Sequence, residues 1–386
     1  MMSVIWALAA TAPWVLLPPV AMLRVARSRS LDDVTAAPPT RPILVSVIVP
    51  ARNEARNIAR CVRSLLDTHY PAIEVIVVDD HSSDDTARLA RATGDGDQRL
   101  RVLDSPTLPN GWFGKQWACA TGVADARGQL LLFTDADTEH GADLLTRTVN
   151  VLQGDAADLV SVVGRQEMRS FWERLLQPQV FWMLLARYGG TESVSRARRA
   201  EDVIANGQYL LMRRAAYEEV GGHEAVRDLV AEDLALAQRF HRAGLRVRLV
   251  RADAQLSTHM YASLAELIAG WGKNVYAGGI YAMPGGRIGR LLFPFVLPLV
   301  PLLTFLPVLA LPLALAGALG SSWLVWASIC AALNLVYWAV IYRGFEQSPW
   351  YALLYPLGAA MVLYIIVRAI FRGRSVGWKG REYIAR

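Results

Sequence analysis

After Arg290 the chain passes through three long apolar stretches, Leu291 to Leu319, Trp323 to Tyr342 and Tyr351 to Phe371. A helix needs about 20 apolar residues to cross the hydrocarbon core of a bilayer, and each stretch reaches that length. No single water-soluble core has room for all three, so the chain is expected to be organised around a membrane. A further run, Val4 to Leu23, is of the same kind. A signal peptide shows a basic segment before its apolar run and small residues at a cleavage site. Here no Lys or Arg precedes the run, and Arg24, Arg27 and Arg29 follow it. Residues 1–29 are therefore read as a retained transmembrane anchor with its N-terminus outside.

Charge supports the same organisation. Hydrophobic residues make up 53% of the chain and the formal net charge is +6. The excess sits beside the apolar segments, at the three arginines just named and at Arg368, Arg372, Arg374, Lys379, Arg381 and Arg386. That placement follows the positive-inside tendency and points to the membrane surface, not to nucleic acid. It also creates a conflict. If every apolar run crosses once, the basic tail 372–386 ends outside, although the rule places it in the cytoplasm. The first of the three late runs contains Pro294, Pro298, Pro301, Pro307 and Pro312. A kinked, re-entrant or hairpin segment is expected there, although about 14 residues per arm is short for two full crossings.

Between the two membrane regions the pattern changes. Residues 30–41, with Pro38 and Pro39, read as a linker, and 42–260 read as a soluble α/β domain. Ile43 to Val49 is an apolar, β-branched run ending at Pro50. Ile58, Cys61, Val62, Leu65 and Leu66 then recur at helical spacing. Glu74 to Val78 and Leu130 to Thr134 are two further strands, each ending in acidic residues. Strands alternating with helices predict a mostly parallel sheet covered on both faces. Ligands of such sheets bind outside the carboxyl ends of the strands. Residues 261–290 carry Leu264, Leu267, Ile268, Trp271 and Val275 on one helical face, as a core-facing helix or one lying in the membrane interface would. Phe171 to Tyr188 has the same character. The three cysteines, Cys61, Cys119 and Cys330, form no CxxC pair and read as small buried hydrophobes in a reducing compartment.

Two acidic clusters carry the first chemical signal, Asp79-Asp80 after one strand and Asp135-Ala136-Asp137 after another. Either alone would pass for a solvated turn or a helix cap. Two such clusters on one sheet crowd negative charge into one crevice, which is costly unless a cation sits there. Asp-x-Asp offers two hard oxygen ligands, which suits Mg²⁺ or Mn²⁺ bridging a diphosphate.

Val45-Ser46-Val47-Ile48-Val49-Pro50-Ala51-Arg52-Asn53-Glu54, the run Val77 to Thr86, and Thr134-Asp135-Ala136-Asp137 follow one another in order. Gly207-Gln208-Tyr209-Leu210-Leu211-Met212 and Ala231-Glu232-Asp233 come next. Together they resemble the inverting glycosyltransferases of family 2, which have the GT-A fold. The resemblance implies that Pro50, Ala51, Arg52, Glu54, Asp79 and Asp80 hold the nucleoside of a nucleotide-sugar donor, a UDP-sugar if a carboxylate reads uracil. It implies that Asp135 and Asp137 reach the diphosphate through the metal. Asp233 would be the base that deprotonates the acceptor hydroxyl. Gly207, Gln208 and Glu232, in the same two motifs, are acceptor-side candidates. Leu108 to Lys115, with Gly111 and Gly114, resembles a run in family-2 enzymes that glycosylate apolar lipids such as carotenoids and hopanoids. There Lys115 would contact the diphosphate. His259 stands where some GT-A enzymes place a late metal or phosphate contact, but with no carboxylate beside it reads more readily as a structural histidine.

The chain lacks the Gln-x-x-Arg-Trp motif of processive family-2 synthases; Trp271-Gly272-Lys273 stands at roughly that place, so Trp271 and Lys273 are late-motif candidates. The expected function is transfer of one sugar to a lipid acceptor by a multi-pass plasma-membrane enzyme with a cytoplasmic catalytic domain. A processive polysaccharide synthase and a non-catalytic nucleotide-binding membrane protein are the alternatives.

Overall fold

The structure is a computed structural model that describes residues 12, 15, 16, 18–20, 22, 23, 26–373, 375–379 and 381–384. The anchor expected over residues 1–29 lies largely outside the described residues. In chain order the elements are β1 (Val45–Ala51), α1 (Ile58–Leu66), β2 (Ile73–Asp79), α2 (Thr86–Thr93), β3 (Leu100–Asp104) and α3 (Gly114–Asp125). Then come β4 (Leu130–Phe133), β5 (Thr138–His140), α4 (Leu144–Gly154), β6 (Leu159–Val163), β7 (Arg165–Gln166), α5 (Phe171–Tyr188) and α6 (Thr191–Ser195). They are followed by β8 (Leu210–Arg213), α7 (Arg214–Glu219), α8 (Glu232–Arg242), β9 (Val247–Arg251) and β10 (Leu256–Thr258). The chain ends with α9 (Leu264–Ala282), α10 (Gly286–Val296), α11 (Leu299–Leu315), α12 (Ser321–Gly344), α13 (Tyr355–Arg372) and the hairpin β11 (Ser375–Trp378) and β12 (Arg381–Ile384).

These elements fall into two units. One comprises 28–167, 191–260 and 374–386; the other comprises 1–27, 168–190 and 261–373. The first is built on a seven-stranded sheet in the order β3-β2-β1-β4-β8-β6-β9. Strands β3, β2, β1 and β4 are parallel, and so are β6 and β9. Only β8 runs against its neighbours. Period-2 alternation supplies both faces. Val75 and Val77 pack with Cys61 and Val62 of α1, while Ile76 and Val78 pack with Ala118 of α3. The expected mostly parallel α/β sheet is the one observed.

The reversal at β8 has a consequence for the site. Phe133, the last residue of β4, pairs with Leu210, the first of β8. The segment leading into β8 therefore lies at the same edge as the carboxyl ends of β1, β2 and β4. A second, three-stranded sheet, β5-β10-β7, is formed by the segments that follow β4, β9 and β6. Residues 30–41, expected as a linker, are fastened to this unit. Leu31 is buried, and Arg147 Nη1 donates to the carbonyls of Leu31 (2.8 Å) and Val34 (2.7 Å).

The second unit contains three helical stretches long and apolar enough to cross a membrane, Gly286–Leu315, Ser321–Gly344 and Pro349–Arg372. The proline-rich stretch is interrupted between α10 and α11, where Pro298 cannot supply the amide that a continuous helix needs. Leu291, Phe295 and Phe371 stay exposed, as residues facing lipid do. α5 and α9, the two aromatic stretches, also belong to this unit. A Ser170–Glu173 capping box starts α5. Gln179 in its interior donates to the Tyr342 hydroxyl (2.9 Å). A side chain at Gly358 would collide with Gln179, so glycine permits the close approach of α13 to α5.

Candidate active site

The carboxyl ends of β1, β2 and β4 carry the residues that the sequence singles out. Backbone geometry there is unusual. Asn53 (φ 52°) and His81 (φ 54°), just past β1 and β2, are left-handed without being glycine. Such conformations cost of order 1–3 kcal/mol and persist where surrounding contacts enforce them. The contacts are present. Asn53 Oδ1 accepts from Ser83 N (2.8 Å), and Asn53 N donates to Ser82 Oγ (3.0 Å). The β1 and β2 loops are thus tied together, with Asp80 N donating to Ala51 O (2.8 Å) at the base. Pro50 pairs in register with Val78. Arg52 Nη1 donates to the carbonyls of Asp80 and His81. Asp79 accepts from Ser82 through both oxygens, at 2.5 Å from Oγ and 3.1 Å from N.

At the end of β4 the picture is one of unmet charge. Lys115, one residue into α3, places Nζ 2.7 Å from Asp135 Oδ1 and 2.8 Å from Glu232 Oε1. Burial opposes the Lys115 charge, but Asp135, Glu232 and Asp233 outweigh it and hold the ammonium well above its ordinary pKa. Among the described residues Asp137 has no such partner: its Oδ1 is buried and accepts no hydrogen bond. Burial, then the charges of Asp135 and Glu54, push its carboxyl well above the usual range. The loop bearing both residues is braced from beneath. Thr134 Oγ1 donates to Gln208 O (2.8 Å) and lies 3.0 Å from His140 Nε2, a ring that burial holds neutral with a pKa of about 3.

Asp233 begins α8 beside Glu232. Its Oδ2 accepts from Gly207 N (2.8 Å) and its Oδ1 from Leu234 N (2.7 Å). A Cβ at position 207 would stand 3.0 Å from Asp233 Oδ2, so glycine is what lets this amide reach the carboxylate. Burial, then Glu232, raise the carboxyl to about 6, against the pull of Lys115 and the two amides.

These residues fit a divalent cation beside Asp137: it has a buried lone pair without a donor, in a neighbourhood of excess negative charge. Among the described residues no group of three or more His, Cys, Asp or Glu stands in ligating geometry. The protein would supply one or two carboxylates, and phosphate oxygens and water the rest, as is usual for Mg²⁺.

The fold puts the remaining sequence candidates in different places. Gln208 is turned to a supporting role, its Oε1 accepting from Gln166 (3.1 Å) and Asn206 (3.1 Å). His259 directly follows β10, whose last residue Thr258 pairs with Thr138, the neighbour of Asp137. Trp271 and Lys273 lie on α9, in the other unit, where Trp271 packs edge-on against Phe181 at 5.2 Å. The sequence reading also missed residues that do reach the edge: Ser82, Asn53 and, from the end of the chain, Lys379, Arg381 and Tyr383. The Asn53 and Ser82 positions within the two loop motifs were the available signal for the first pair. For the tail, the signal was Lys379-Gly380 between two short alternating runs, a hairpin turn pattern.

The sheet is mostly parallel, with an acidic carboxyl edge, a helix-borne carboxylate beside it and a lysine between them. Residues 46–221 match the family model described as Glycosyl transferase family 2. The 4,4'-diaponeurosporenoate glycosyltransferase of Staphylococcus haemolyticus is 26% identical over 245 residues, 62% of this chain and 63% of the relative. That of Staphylococcus aureus is 28% identical over 239 residues, 61% of each chain. The match thus spans about three fifths of the length of these relatives. A mannosyltransferase from Pyrobaculum calidifontis, solved in complex with GDP-Man and Mn²⁺, shares the fold. Its TM-score is 0.57 at 21% identity, with 95% of this chain and 97% of that chain covered.

Proposed function

We propose that this protein is a membrane-bound, metal-dependent inverting glycosyltransferase that moves one sugar from a nucleotide-sugar donor to a lipid acceptor. The observation that carries the reading is Asp233, held by the Gly207 amide and set beside Lys115 and the Asp135–Asp137 pair. In this reading the donor's nucleoside lies along Pro50 to Glu54 and Asp79–Asp80. Its diphosphate lies by Lys115 and Asp135. Asp233 takes the proton of the acceptor hydroxyl as that oxygen bonds to the anomeric carbon. The bond from that carbon to the diphosphate breaks on the opposite face, so configuration inverts. Lys115 steadies the negative charge that grows on the leaving diphosphate. Mg²⁺ or Mn²⁺, held by Asp137 and Asp135, would neutralise further charge on the leaving group when bound.

The lipid acceptor is supported by the three apolar helical stretches and by relatives named for glycosylating 4,4'-diaponeurosporenoate. An acceptor dissolved in the bilayer meets an enzyme held at the same surface far more often. A UDP-sugar is the proposed donor, with the plasma membrane as the location and a cytoplasmic catalytic unit. Purified protein is incubated with UDP- and GDP-sugars, Mn²⁺ and lipid extract. A single glycolipid is the expected product; a polymer, or no product from any donor, overturns the reading. Cysteines placed in 30–41 should resist labelling from outside intact cells.

A further inference from the structure

The hairpin β11–β12 touches the donor side at several points. Arg381 Nη1 lies 2.6 Å from Asp80 Oδ2. Lys379 Nζ lies 2.8 Å from Glu54 Oε1 and donates to Asn53 O (3.3 Å). The Tyr383 hydroxyl accepts from Gly114 N (3.2 Å), the first amide of α3, while its ring lies against Phe113 at 4.3 Å between centroids. Arg52 Nε completes the attachment by donating to Lys379 O (3.1 Å). A guanidinium, an ammonium and a hydroxyl oxygen thus stand where a nucleotide would present base N–H groups and a phosphate oxygen.

Asp80 makes the contacts mutually exclusive. Its side chain is 1% exposed, Oδ2 is engaged by Arg381, and Oδ1 is sealed from water with no hydrogen-bond partner. A nucleoside cannot take Oδ2 while Arg381 holds it. A free Gly114 amide, at the start of a 12-residue helix, would likewise favour an anion over a neutral phenol. We propose that the C-terminal hairpin is a resident occupant of the donor pocket, and that a nucleoside diphosphate displaces it on binding. The proposal rests on the donor-site reading above. It makes the hairpin a competitor that lowers apparent donor affinity by the fraction of time it spends seated.

The test uses the full chain in detergent, with UDP and GDP as probes in the presence of Mn²⁺. The double variant Lys379→Gln, Arg381→Gln keeps the pocket's own carboxylates and weakens the hairpin's hold. Calorimetry should show its nucleotide Kd about threefold to tenfold below that of the parent chain. Lys379→Gln alone, which breaks the more exposed pair, should shift Kd the same way by less, and it serves if the double variant loses stability. In a second arm Gly377→Cys carries an environment-sensitive fluorophore; Cys61, Cys119 and Cys330 are all buried and do not compete for label. Saturating nucleotide should change its emission. Weaker or unchanged nucleotide binding by the variants, or a silent label at saturation, overturns the proposal and makes the hairpin a fixed wall of the pocket. If neither nucleotide binds the folded parent or the variants, the donor-site reading itself fails.

Discussion

The two acidic strand ends of the sheet look alike in sequence and differ in how their charge is met. At the end of β2, Asp79 is satisfied by its own loop through both contacts from Ser82, and Asp80 is met by a guanidinium. At the end of β4, Asp135 shares one ammonium with Glu232, and Asp137 keeps a buried oxygen with no donor. Crowded carboxylates with too little counter-charge are unfavourable unless a cation or a proton completes them. On the proposed reading the first end recognises hydrogen-bonding groups, and the second holds charge in motion. Asp233, whose carboxyl is raised to about 6, belongs with the second.

The largest effect is expected where charge moves. Asp233→Asn removes the proton acceptor but keeps an oxygen for the Gly207 amide. Single-turnover transfer should fall by about 10²-fold to 10⁴-fold, the usual range for general bases, with donor affinity nearly unchanged by calorimetry. Near-normal transfer would reduce Asp233 to a helix cap and shift the proton chemistry to Glu232. Asp137→Ala should come next. Loss of a carboxylate with an unpartnered buried oxygen, crowded by Asp135 and Glu54, should lower transfer by about 10²-fold, since a catalytic metal contributes several kcal/mol. Unlike Asp233→Asn, it should also weaken donor binding. Excess chelator should bring the parent chain down to the same level and add little to the variant. Full activity of the parent in chelator would remove the metal from the account.

The pH profile sharpens the same contrast. A base must be ionised before it accepts a proton, so transfer should rise with pH through about 6 and level above it. At pH 5 the rate should be about tenfold below the plateau. Burial and then Glu232 raise Asp233, and Lys115 opposes them. Lys115→Met therefore moves the inflection to higher pH, whatever it does to the plateau. An inflection that stays in place would mean that another group sets the profile.

How far the sequence carried this picture depended on chain locality. Strands β1, β2 and β4 were readable because each is a β-branched or leucine run cut off by a polar motif. The acidic clusters could be assigned to one crevice because parallel strands share an edge. The reversal of β8 was not readable: Leu210 to Arg213 has nothing in its side chains that fixes direction. Gly207 was legible as a motif, but its reason, an amide reaching Asp233 26 residues away, exists only in the fold. The segregation of 168–190 with the late apolar helices depends on Gln179 meeting Tyr342, a pairing distant in sequence. The basic residues of the tail are legible in the sequence, but their partners Glu54 and Asp80 lie far back in the chain and meet them only in the fold.

The smallest effect is expected at Asp79, and it tests the recognising end directly. Both Asp79 contacts come from one residue, Ser82, whose hydroxyl and amide donate to separate oxygens. Asn in this place keeps one acceptor oxygen and presents an amide to the other donor, so one of the two contacts becomes a repulsive pairing. A lost hydrogen bond to a charged group is typically worth about 1.5–3 kcal/mol, but here the loop has alternatives. Ser82 can rotate its hydroxyl, and the Asn53–Ser83 bond still holds the left-handed turn. The loss should thus fall at the low end, and it should be felt where the loop meets the nucleoside, not where bonds are made. Asp79→Asn is expected to raise the donor KM about threefold to tenfold and to leave kcat within about twofold. A matching drop in kcat would mean that the β2 end also shapes the transition state. The division between a recognising strand end and a charge-bearing one would then not hold.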